Sequence, residues 1–341
     1  MGSDTSSEQA RPSREDILAT TFSRALEAAA AFEGATAPNP PVGCVLLDAD
    51  GNELAVAAHR KAGEPHAEAA AIALARQAGT VNRIHTAVVT LEPCNHTGRT
   101  PPCTEAILST SVKEVWIGTR DLNPVVRGQG AARLSAAGLA IHFLENLSHV
   151  EAPKLCSVAE RLIAPFAKLS RTGLPWVIVK QALTLDGSMI PPAGQKTFTS
   201  PTSLTLAHQL RKRSDAILTG SGTVLADAPE FTVRHVPDFP DRKRILVILD
   251  RRQRVSVAYL QAARARGFEI QIADDLPAAL RELGSASVLQ VLVEAGPALT
   301  QDVLSSGLWD EHYRIVQQGG ADGVDLVSIR RQPSPHPFPI V

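Results

Sequence analysis

The chain has 341 residues, a length typical of two domains, and its 34 basic and 35 acidic residues leave a formal charge of −1. Such a nearly neutral chain is a poor candidate for non-specific binding to nucleic acid or to an anionic membrane. Hydrophobic residues make up 44% and aromatic residues 4%, which predicts folded domains with aliphatic cores rather than disorder.

Membrane-spanning and disulfide-bonded classes are also disfavoured. The sequence has no run approaching about 18 consecutive apolar residues, the length that a membrane span needs. Residues 1–12 are polar, lack the apolar centre of a signal peptide and are expected to form a disordered tail. Four cysteines are too few for a disulfide scaffold, so we expect a cytoplasmic protein with reduced thiols.

The first half of the chain alternates helices and strands. Ser13-Arg14-Glu15-Asp16 resembles a capping box and opens a helix that runs to about Phe32. The elements expected after it are a hairpin over 42–47 and 52–58, helices over 67–77, 103–108 and 129–137, and strands over 86–91, 114–118 and 139–144. This alternation predicts a three-layer α/β domain, which we place over residues 1–160.

The second half restarts the same alternation after a connecting stretch. Residues 146–174 contain Pro153, Pro165 and Gly173 and are expected to link two domains. The elements that follow are strands over 176–180, 215–219, 244–250, 289–294 and 313–316, and helices over 202–213, 276–283 and 298–305. Residues 161–341 therefore form a second α/β domain. No strand is predicted after Val316, since 317–341 is polar or proline-rich and forms an atypical tail.

The strongest chemical signal is a set of metal-binding residue types. His66-Ala67-Glu68 is followed by Pro93-Cys94 and then by Cys103. One imidazole and two thiolates suit a zinc ion that keeps an open fourth position for water. Glu68 lies two residues beyond the histidine and can move protons without binding the metal. The pattern is that of zinc deaminases acting on bases, although eight residues, 95–102, separate the two cysteines here.

The position of these residues supports the metal interpretation over a structural one. Pro65 and Pro102 each precede an expected helix, so His66 and Cys103 begin helices, where the positive end of the dipole stabilises a thiolate. Taken singly, each could be a surface histidine or a buried small residue. Cys44, in an apolar strand, and Cys156, in the connecting stretch, are interpreted as structural.

The second half carries weaker signals for an anionic ligand. Val293-Glu294-Ala295-Gly296-Pro297 joins a strand to a helix, a place that suits a phosphate group. Gly220-x-Gly222, in the segment Gly220-Ser221-Gly222-Thr223, is weak evidence by itself, because glycines more often only turn the chain. A Gly-x-Gly-x-x-Gly fingerprint is missing, which disfavours a Rossmann domain. Arg211 and Arg234 match a phosphate in charge and geometry, although a lone arginine is more often solvated.

Longer motifs in the first half resemble one family. Pro38-Asn39-Pro40-Pro41-Val42-Gly43-Cys44-Val45, His66-Ala67-Glu68 and the segment 90–103 with its Gly-Arg-Thr-Pro-Pro loop are similar to the deaminase half of the bifunctional riboflavin-biosynthesis deaminase/reductases. The resemblance implies a cytidine-deaminase-like fold and hydrolytic deamination of 2,5-diamino-6-(5-phosphoribosylamino)pyrimidin-4-one. It assigns zinc to His66, Cys94 and Cys103, proton transfer to Glu68, and substrate contacts to Asn39, His96 and Arg99.

Motifs in the second half resemble the reductase half of the same family. They are Lys180–Gly187, Gly220–Asp227, Phe231–Arg234 and Val293–Pro297. The resemblance implies a dihydrofolate-reductase-like fold, reduction of the ribosyl group of 5-amino-6-(5-phosphoribosylamino)uracil with NADPH, and a homo-oligomer formed through the reductase domain. The residues it implies are Ala182, Thr197, Thr223, Asp227 and Gly296 for the cofactor, and Gln195, Arg211, Phe231, Arg234 and Glu294 for the substrate.

Three departures from the family pattern leave alternatives open. Ala228 replaces a usual second aspartate, Thr197 replaces a usual bulky aromatic residue, and the usual last strands are not found after Val316. One alternative is therefore a deaminase whose reductase-like domain is degenerate. A second alternative is a zinc deaminase that acts on another base or on nucleic acid. The near-neutral charge and the few aromatic residues disfavour nucleic acid as the substrate. A third alternative is a non-catalytic scaffold stabilised by zinc.

Overall fold

The computed structural model describes residues 12–96, 101–122, 128–192, 194–195, 197–318 and 324–332. The chain divides into two compact units. Apart from the short segment Ala37–Asn39, the first unit runs to Ile163 and the second begins at Ala164. Each unit is built on one sheet, so the mixed α/β class expected from the sequence is confirmed.

The first unit has a five-stranded sheet in the order β2-β1-β3-β4-β5. Its strands are β1 (Gly43–Leu47), β2 (Glu53–Ala58), β3 (Thr86–Val89), β4 (Glu114–Ile117) and β5 (Ala140–Phe143). Its helices are α1 (Arg14–Ala30), α2 (Ala67–Gln77), α3 (Cys103–Leu108), α4 (Gln129–Ala136) and α5 (Ala152–Thr172), the last of which continues into the second unit. β1 pairs antiparallel with β2 as the expected hairpin, whereas β3, β4 and β5 run parallel.

The side chains of β3 show why this unit has three layers. Ala87 and Val89 belong to the core cluster that contains α2, α3 and α4, whereas Val88 belongs to the cluster that contains α1 and the first part of α5. Alternate residues of a strand point to opposite faces, so an uninterrupted apolar strand must be covered on both sides. The capping box predicted at the start of α1 is present, with the Ser13 side chain accepting the Asp16 N–H.

The stretch 146–174, expected to link two domains, contains the helix α5, which runs from the first unit into the second. Pro153 lies in the first turn, where its missing N–H costs nothing, and Pro165 lies inside the helix. Two prolines and a glycine made the segment resemble a linker. Its buried residues Leu155, Ala159 and Leu162 recur every three or four positions, which is the helical pattern that the prolines obscured.

The second unit has a seven-stranded sheet in the order β12-β11-β6-β10-β7-β8-β9. Its strands are β6 (Trp176–Leu183), β7 (Ala216–Gly220), β8 (Arg244–Leu249), β9 (Phe268–Ala273), β10 (Gln290–Val293), β11 (Glu311–Val316) and β12 (Leu326–Arg331). Its helices are α6 (Pro201–Arg213), α7 (Ser221–Asp227), α8 (Val257–Ala265), α9 (Leu276–Ser285) and α10 (Pro297–Ser306). The pairings between neighbours are parallel except for β12, which is antiparallel to β11.

Strand β12 shows that the expectation of no strand after Val316 was wrong. All six of its residues pair with β11, from Glu311 opposite Arg331 to Val316 opposite Leu326. Every residue of β12 is exposed, so burial imposes no alternation on its sequence. An edge strand with two solvated faces is therefore difficult to recognise from hydrophobic periodicity. The short helices α7 and α8 and the strand β9 were likewise not predicted.

Within the described part of the chain, none of the helices combines the length and the apolar character that crossing a membrane would demand.

Candidate active sites

Three side chains of the first unit converge on one point. His66 precedes the first residue of α2, Cys103 is the first residue of α3, and Cys94 lies in the loop after β3. Their ligand atoms all lie within 4.8 Å of one another. The His66 Nδ1 atom is 3.6 Å from the Cys94 Sγ atom and 3.4 Å from the Cys103 Sγ atom. Among the described residues, no other histidine, cysteine or acidic side chains form such a group.

These distances fit a tetrahedral zinc site. Zn–N bonds of about 2.0 Å and Zn–S bonds of about 2.3 Å at a tetrahedral angle place nitrogen and sulfur ligands about 3.5 Å apart. Both observed nitrogen–sulfur distances, 3.4 and 3.6 Å, agree with this value. One imidazole and two thiolates supply three ligands, so a fourth position stays open, as catalytic zinc requires.

The electrostatics of the two thiols favour a cation. Hydrogen bonds from Cys103 and from His66 lower the pKa of Cys94 to about 4, although burial opposes them. The hydrogen bond to Cys94 and burial raise the pKa of Cys103. The Cys103 backbone N–H also donates to the Cys94 Sγ atom at 3.3 Å. Cys94 is therefore a thiolate at neutral pH, and a second thiolate beside it requires a positive partner.

Glu68 lies behind this cluster as the second residue of α2. It is 4% exposed. Burial, and after it the charge of Cys94, raises the pKa of Glu68 to about 6. A carboxyl group with such a pKa can both accept and return a proton near neutral pH. Burial raises the pKa of Cys44, and the charge of Glu68 raises it further, so this fully buried residue is held as a thiol.

The residues expected to contact the substrate of the deaminase lie outside the metal cluster. Asn39 is half-buried in the loop before β1, and His96 is exposed two residues after Cys94. Arg99 lies outside the described residues.

In the second unit, two residues predicted to contact substrate form a buried ion pair with each other. Arg211 in α6 donates from Nε and Nη2 to the two carboxylate oxygens of Glu294, at 2.9 and 2.7 Å. Burial alone would raise the pKa of Glu294, but the charges of Arg211 and Lys180 outweigh it and lower the pKa to about 2. Arg211 also donates from Nη1 to the Thr232 carbonyl at 3.1 Å.

The segment around Thr232 brings two more candidates to this pair. The buried Phe231 ring lies 5.9 Å from the Arg211 guanidinium carbon. The Arg234 backbone N–H donates to the His208 Nδ1 atom at 2.9 Å, whereas its side chain is half exposed and pairs with Glu230. His208 in α6 thus accepts a hydrogen bond from the backbone at Nδ1, and burial together with the Arg211 charge lowers its pKa to about 4.

The cofactor candidates are only partly brought together. The Thr223 hydroxyl in α7 accepts the Gly296 N–H at 2.8 Å, which joins α7 to the start of α10. Gly296 is the N-cap of α10 and provides no side-chain cap, so the amides of the first turn suit an anionic group. Ala182 is half-buried in β6, whereas Gln195, Thr197 and Asp227 are exposed.

Sequence reasoning assigned no role to three residues that adjoin these sites. His59 is 2% exposed, contacts the His66 ring edge-on with centroids 5.1 Å apart, and donates from Nδ1 to the Pro65 carbonyl at 3.2 Å. Lys180, in β6, lowers the pKa of Glu294. Glu92 is buried between β3 and Cys94. The available signal for Lys180 and Glu92 was a charged residue at the end of an apolar strand.

Comparison with protein families agrees with this division. Residues 17–119 match the cytidine and deoxycytidylate deaminase zinc-binding region, and residues 175–317 match the RibD C-terminal domain. The riboflavin biosynthesis protein RibD of Escherichia coli K12 is 36% identical over 323 residues, which cover 85% of this chain and 84% of that protein.

Two solved structures are similar over nearly the whole chain. RibD of Acinetobacter baumannii has a TM-score of 0.75 at 30% identity and covers 94% of this chain and 92% of its own. A diaminohydroxyphosphoribosylaminopyrimidine deaminase/5-amino-6-(5-phosphoribosylamino)uracil reductase of Thermotoga maritima has a TM-score of 0.73 at 30% identity and covers 92% and 90%. With its zinc-type deaminase unit followed by a reductase unit, this chain belongs to the RibD family and is a bifunctional deaminase and reductase of riboflavin biosynthesis.

Proposed function

We propose that residues 1–160 hydrolyse 2,5-diamino-6-(5-phosphoribosylamino)pyrimidin-4-one to the uracil and ammonia, and that residues 161–341 reduce the ribosyl group of the product with NADPH. The observation that carries the first step is the convergence of His66, Cys94 and Cys103 beside the buried Glu68. The same two substrate classes give the Thermotoga maritima relative its name.

The deaminase step requires a nucleophile and two proton transfers. His66, Cys94 and Cys103 would hold a zinc ion, which when bound makes water nucleophilic by lowering its pKa towards about 7. As water adds to the carbon bearing the amino group, the Glu68 carboxylate accepts one proton of the water and passes it to the ring nitrogen. It then accepts the second proton from the new hydroxyl group and passes it to the leaving amine, so that ammonia departs and a carbonyl remains. Asn39, His96 and Arg99 are the proposed contacts to the pyrimidine and the phosphate.

The reductase step requires a cofactor site and a site for a phosphorylated ribose. NADPH would supply a hydride to ribose C1, and Ala182, Thr197, Thr223, Asp227 and Gly296 are proposed to bind it. The hydrogen bond between Gly296 and Thr223 places the start of α10 beside α7, and this supports the proposal. The backbone amides of the first turn of α10 suit a phosphate group. Gln195, Arg211, Phe231, Arg234 and Glu294 are the proposed substrate contacts. Because Glu294 neutralises Arg211, the exposed Arg234 is the better proposed partner for the substrate phosphate.

The fold of the second unit argues against the alternative of a degenerate, inactive reductase domain. That alternative rested chiefly on missing final strands, and β12 completes the pairing of β11. All five parallel pairings of the sheet are present among the described residues, with Arg211 and Glu294 brought together between α6 and the end of β10. We therefore propose an active reductase.

A coupled assay tests both activities on one purified sample. Ammonia release is measured with the diaminopyrimidinone nucleotide, NADPH oxidation with the deaminated nucleotide, and zinc by elemental analysis. We expect Glu68→Gln to reduce ammonia release at least about a hundredfold and to leave NADPH oxidation unchanged. Glu64→Gln, at an exposed position two residues before His66, is the control. Undiminished ammonia release from Glu68→Gln, or activity on nucleic acid alone, would refute the deaminase mechanism.

We also infer a cytoplasmic homo-oligomer that associates through the reductase unit. The edge strand β12 supports this inference, because Leu326 and Ile329 are 57% and 48% exposed. An edge strand offers backbone N–H and C=O groups to a second chain, and exposed apolar side chains on it suit an interface between chains. Light scattering should show that Ile329→Lys reduces the mass to that of one chain, whereas Ser328→Lys, its neighbour, is the control. A wild-type protein that is already monomeric would exclude the oligomer.

A further inference from the structure

One buried carboxylate beside the metal cluster has no place in the proposed chemistry. Glu92 follows β3, lies two residues before Cys94 and is 4% exposed. Its Oε2 atom accepts the backbone N–H groups of Asp121 and Gly128, at 3.3 and 3.1 Å. Its Oε1 atom accepts the N–H of Ala131 at 3.1 Å. Within the described part of the chain, this buried carboxylate is satisfied by three backbone amides.

These contacts make Glu92 the cap of α4. The N-cap residue of α4 is Gly128, which provides no side-chain cap of its own, and Ala131 is the third residue of the helix. The first amides of a helix need an acceptor, and a negative charge there also complements the helix dipole. Glu92 supplies both from a distant part of the sequence.

Helix α4 packs closely against Pro93, the residue before Cys94. A Cβ atom on Gly130 would lie 1.9 Å from the Pro93 carbonyl oxygen, so only glycine permits this approach. The Glu92 backbone N–H donates to the Thr119 carbonyl at 2.9 Å. The two residues before Cys94 are thus held by α4 and by the segment after β4.

Helix α3 holds Cys94 from the other side. The Thr104 backbone N–H donates to the Cys94 carbonyl at 3.2 Å. The Cys103 N–H donates to the Cys94 Sγ atom at 3.3 Å. Cys94 is therefore held directly by α3, which carries the other thiolate, and the two residues before it are held by α4 through Glu92 and Gly130.

We propose that Glu92 is a positioning residue for the metal site. By capping α4 and fastening it to Pro93, Glu92 sets the place of the Cys94 sulfur relative to His66 and Cys103, and so controls how long zinc is retained. The inference rests on the proposed zinc site. Groups that orient metal ligands without binding the metal typically change metal affinity about 10–100-fold when they are replaced.

The test is zinc dissociation from the full chain, followed with an excess of a chromogenic chelator. Glu92→Gln keeps the side-chain shape but offers one acceptor oxygen instead of two, and we expect zinc release at least about tenfold faster than from wild type. Gly130→Ala leaves the carboxylate in place but displaces α4 from Pro93, and we expect it to accelerate release in the same way. NADPH oxidation on the same samples should be unchanged.

Asp48→Asn is the matched control for loss of stability alone. Asp48 is 5% exposed and accepts the backbone N–H groups of Asp50 and Asn52, at 3.1 and 2.9 Å. It follows Leu47, which pairs with Thr86 at the opposite end of β3 from Cys94. We expect this variant to lower the melting temperature of the first unit while zinc release stays within about twofold of wild type.

Two results would overturn the inference, and they differ. Glu92 is only structural if Glu92→Gln and Gly130→Ala release zinc as slowly as wild type. The same conclusion follows if Asp48→Asn, at the same loss of melting temperature, releases zinc as fast as they do. A wild-type chain that takes up no zinc would instead refute the metal site itself, and with it the inference.

Discussion

Replacing Glu294 by glutamine should destabilise the second unit by about 3 kcal/mol. The Arg211–Glu294 pair is buried and bidentate, and Glu294→Gln leaves the arginine without its counter-ion. The difference between the ordinary pKa of 4.5 and the value of about 2 for Glu294 corresponds to about 3 kcal/mol, at about 1.4 kcal/mol per pH unit. Breaking one partner of a buried pair typically costs about 3–5 kcal/mol, which agrees.

The pH dependence of this contribution has a definite sign. A carboxyl group whose pKa is lowered by folding stabilises the folded state above its unfolded pKa, here 4.5, and that stabilisation is lost as the pH falls through about 2. The free-energy difference between wild type and Glu294→Gln should therefore be full at pH 7 and should shrink between about pH 4.5 and about pH 2.

Hydrogen exchange measured peptide by peptide separates the two units. The slowest amides of β6 and β10 should lose about 3 kcal/mol of protection in Glu294→Gln, whereas those of β3 in the first unit should not change. Glu230→Gln removes the exposed pair with Arg234 and should cost less than about 0.5 kcal/mol. The double variant Arg211→Met/Glu294→Leu should lose less than Glu294→Gln, because no charge is left unpaired. Protection in Glu294→Gln within about 1 kcal/mol of wild type would refute the reasoning.

Three further predictions concern the metal site and one strained residue. Chelation of the metal should lower the melting temperature of the first unit and leave the second unchanged in calorimetry, because a ligand stabilises the unit that binds it; equal shifts of both would contradict this. Cys94→Ala and Cys103→Ala should abolish zinc binding in elemental analysis, whereas Cys44→Ala should keep it, since Cys44 is held as a buried thiol. Ala228 has a φ of 41°, which disfavours alanine, so Ala228→Asn should raise the free energy of unfolding by about 0.5–1 kcal/mol in urea titrations. Ala226→Gly in the same exposed helix should lower it, and a loss of stability in Ala228→Asn would overturn the strain argument.

The parts of the fold that the sequence predicted are those where burial imposes a pattern. β3, β7 and β10 are mostly apolar and almost entirely buried, and they were recognised because a strand covered on both faces is a nearly continuous hydrophobic run. β12 is exposed on both faces and α5 contains two prolines, so neither displayed the usual pattern. The periodicity of hydrophobic residues reflects burial rather than backbone geometry. It therefore gives no signal for a strand that is stabilised only by hydrogen bonds to one neighbouring strand.

The same distinction applies to the candidate sites. His66, Cys94 and Cys103 could be grouped from the sequence because their chemistry is uncommon and each adjoins a proline at the start or end of an element. The pairing of Arg211 with Glu294 could not, since 83 residues separate them and only the parallel sheet brings α6 beside the end of β10. The contacts of Glu92 could not be predicted either, because its partners are backbone amides and every residue type except proline has one.

In both units, candidate site residues lie in the connection that follows a strand with a parallel neighbour, and one physical reason accounts for this. Cys94 follows β3, and Glu294 and Gly296 follow β10. The helix after each strand begins at that edge of the sheet, so the positive ends of helices and their unpaired amides collect there. A zinc-binding thiolate and a cofactor phosphate are both anionic, and the same edge stabilises either. Two unrelated chemistries can therefore occupy equivalent places in two different sheets, and a polar residue in the connection after an apolar strand is the sequence feature that indicates such a place.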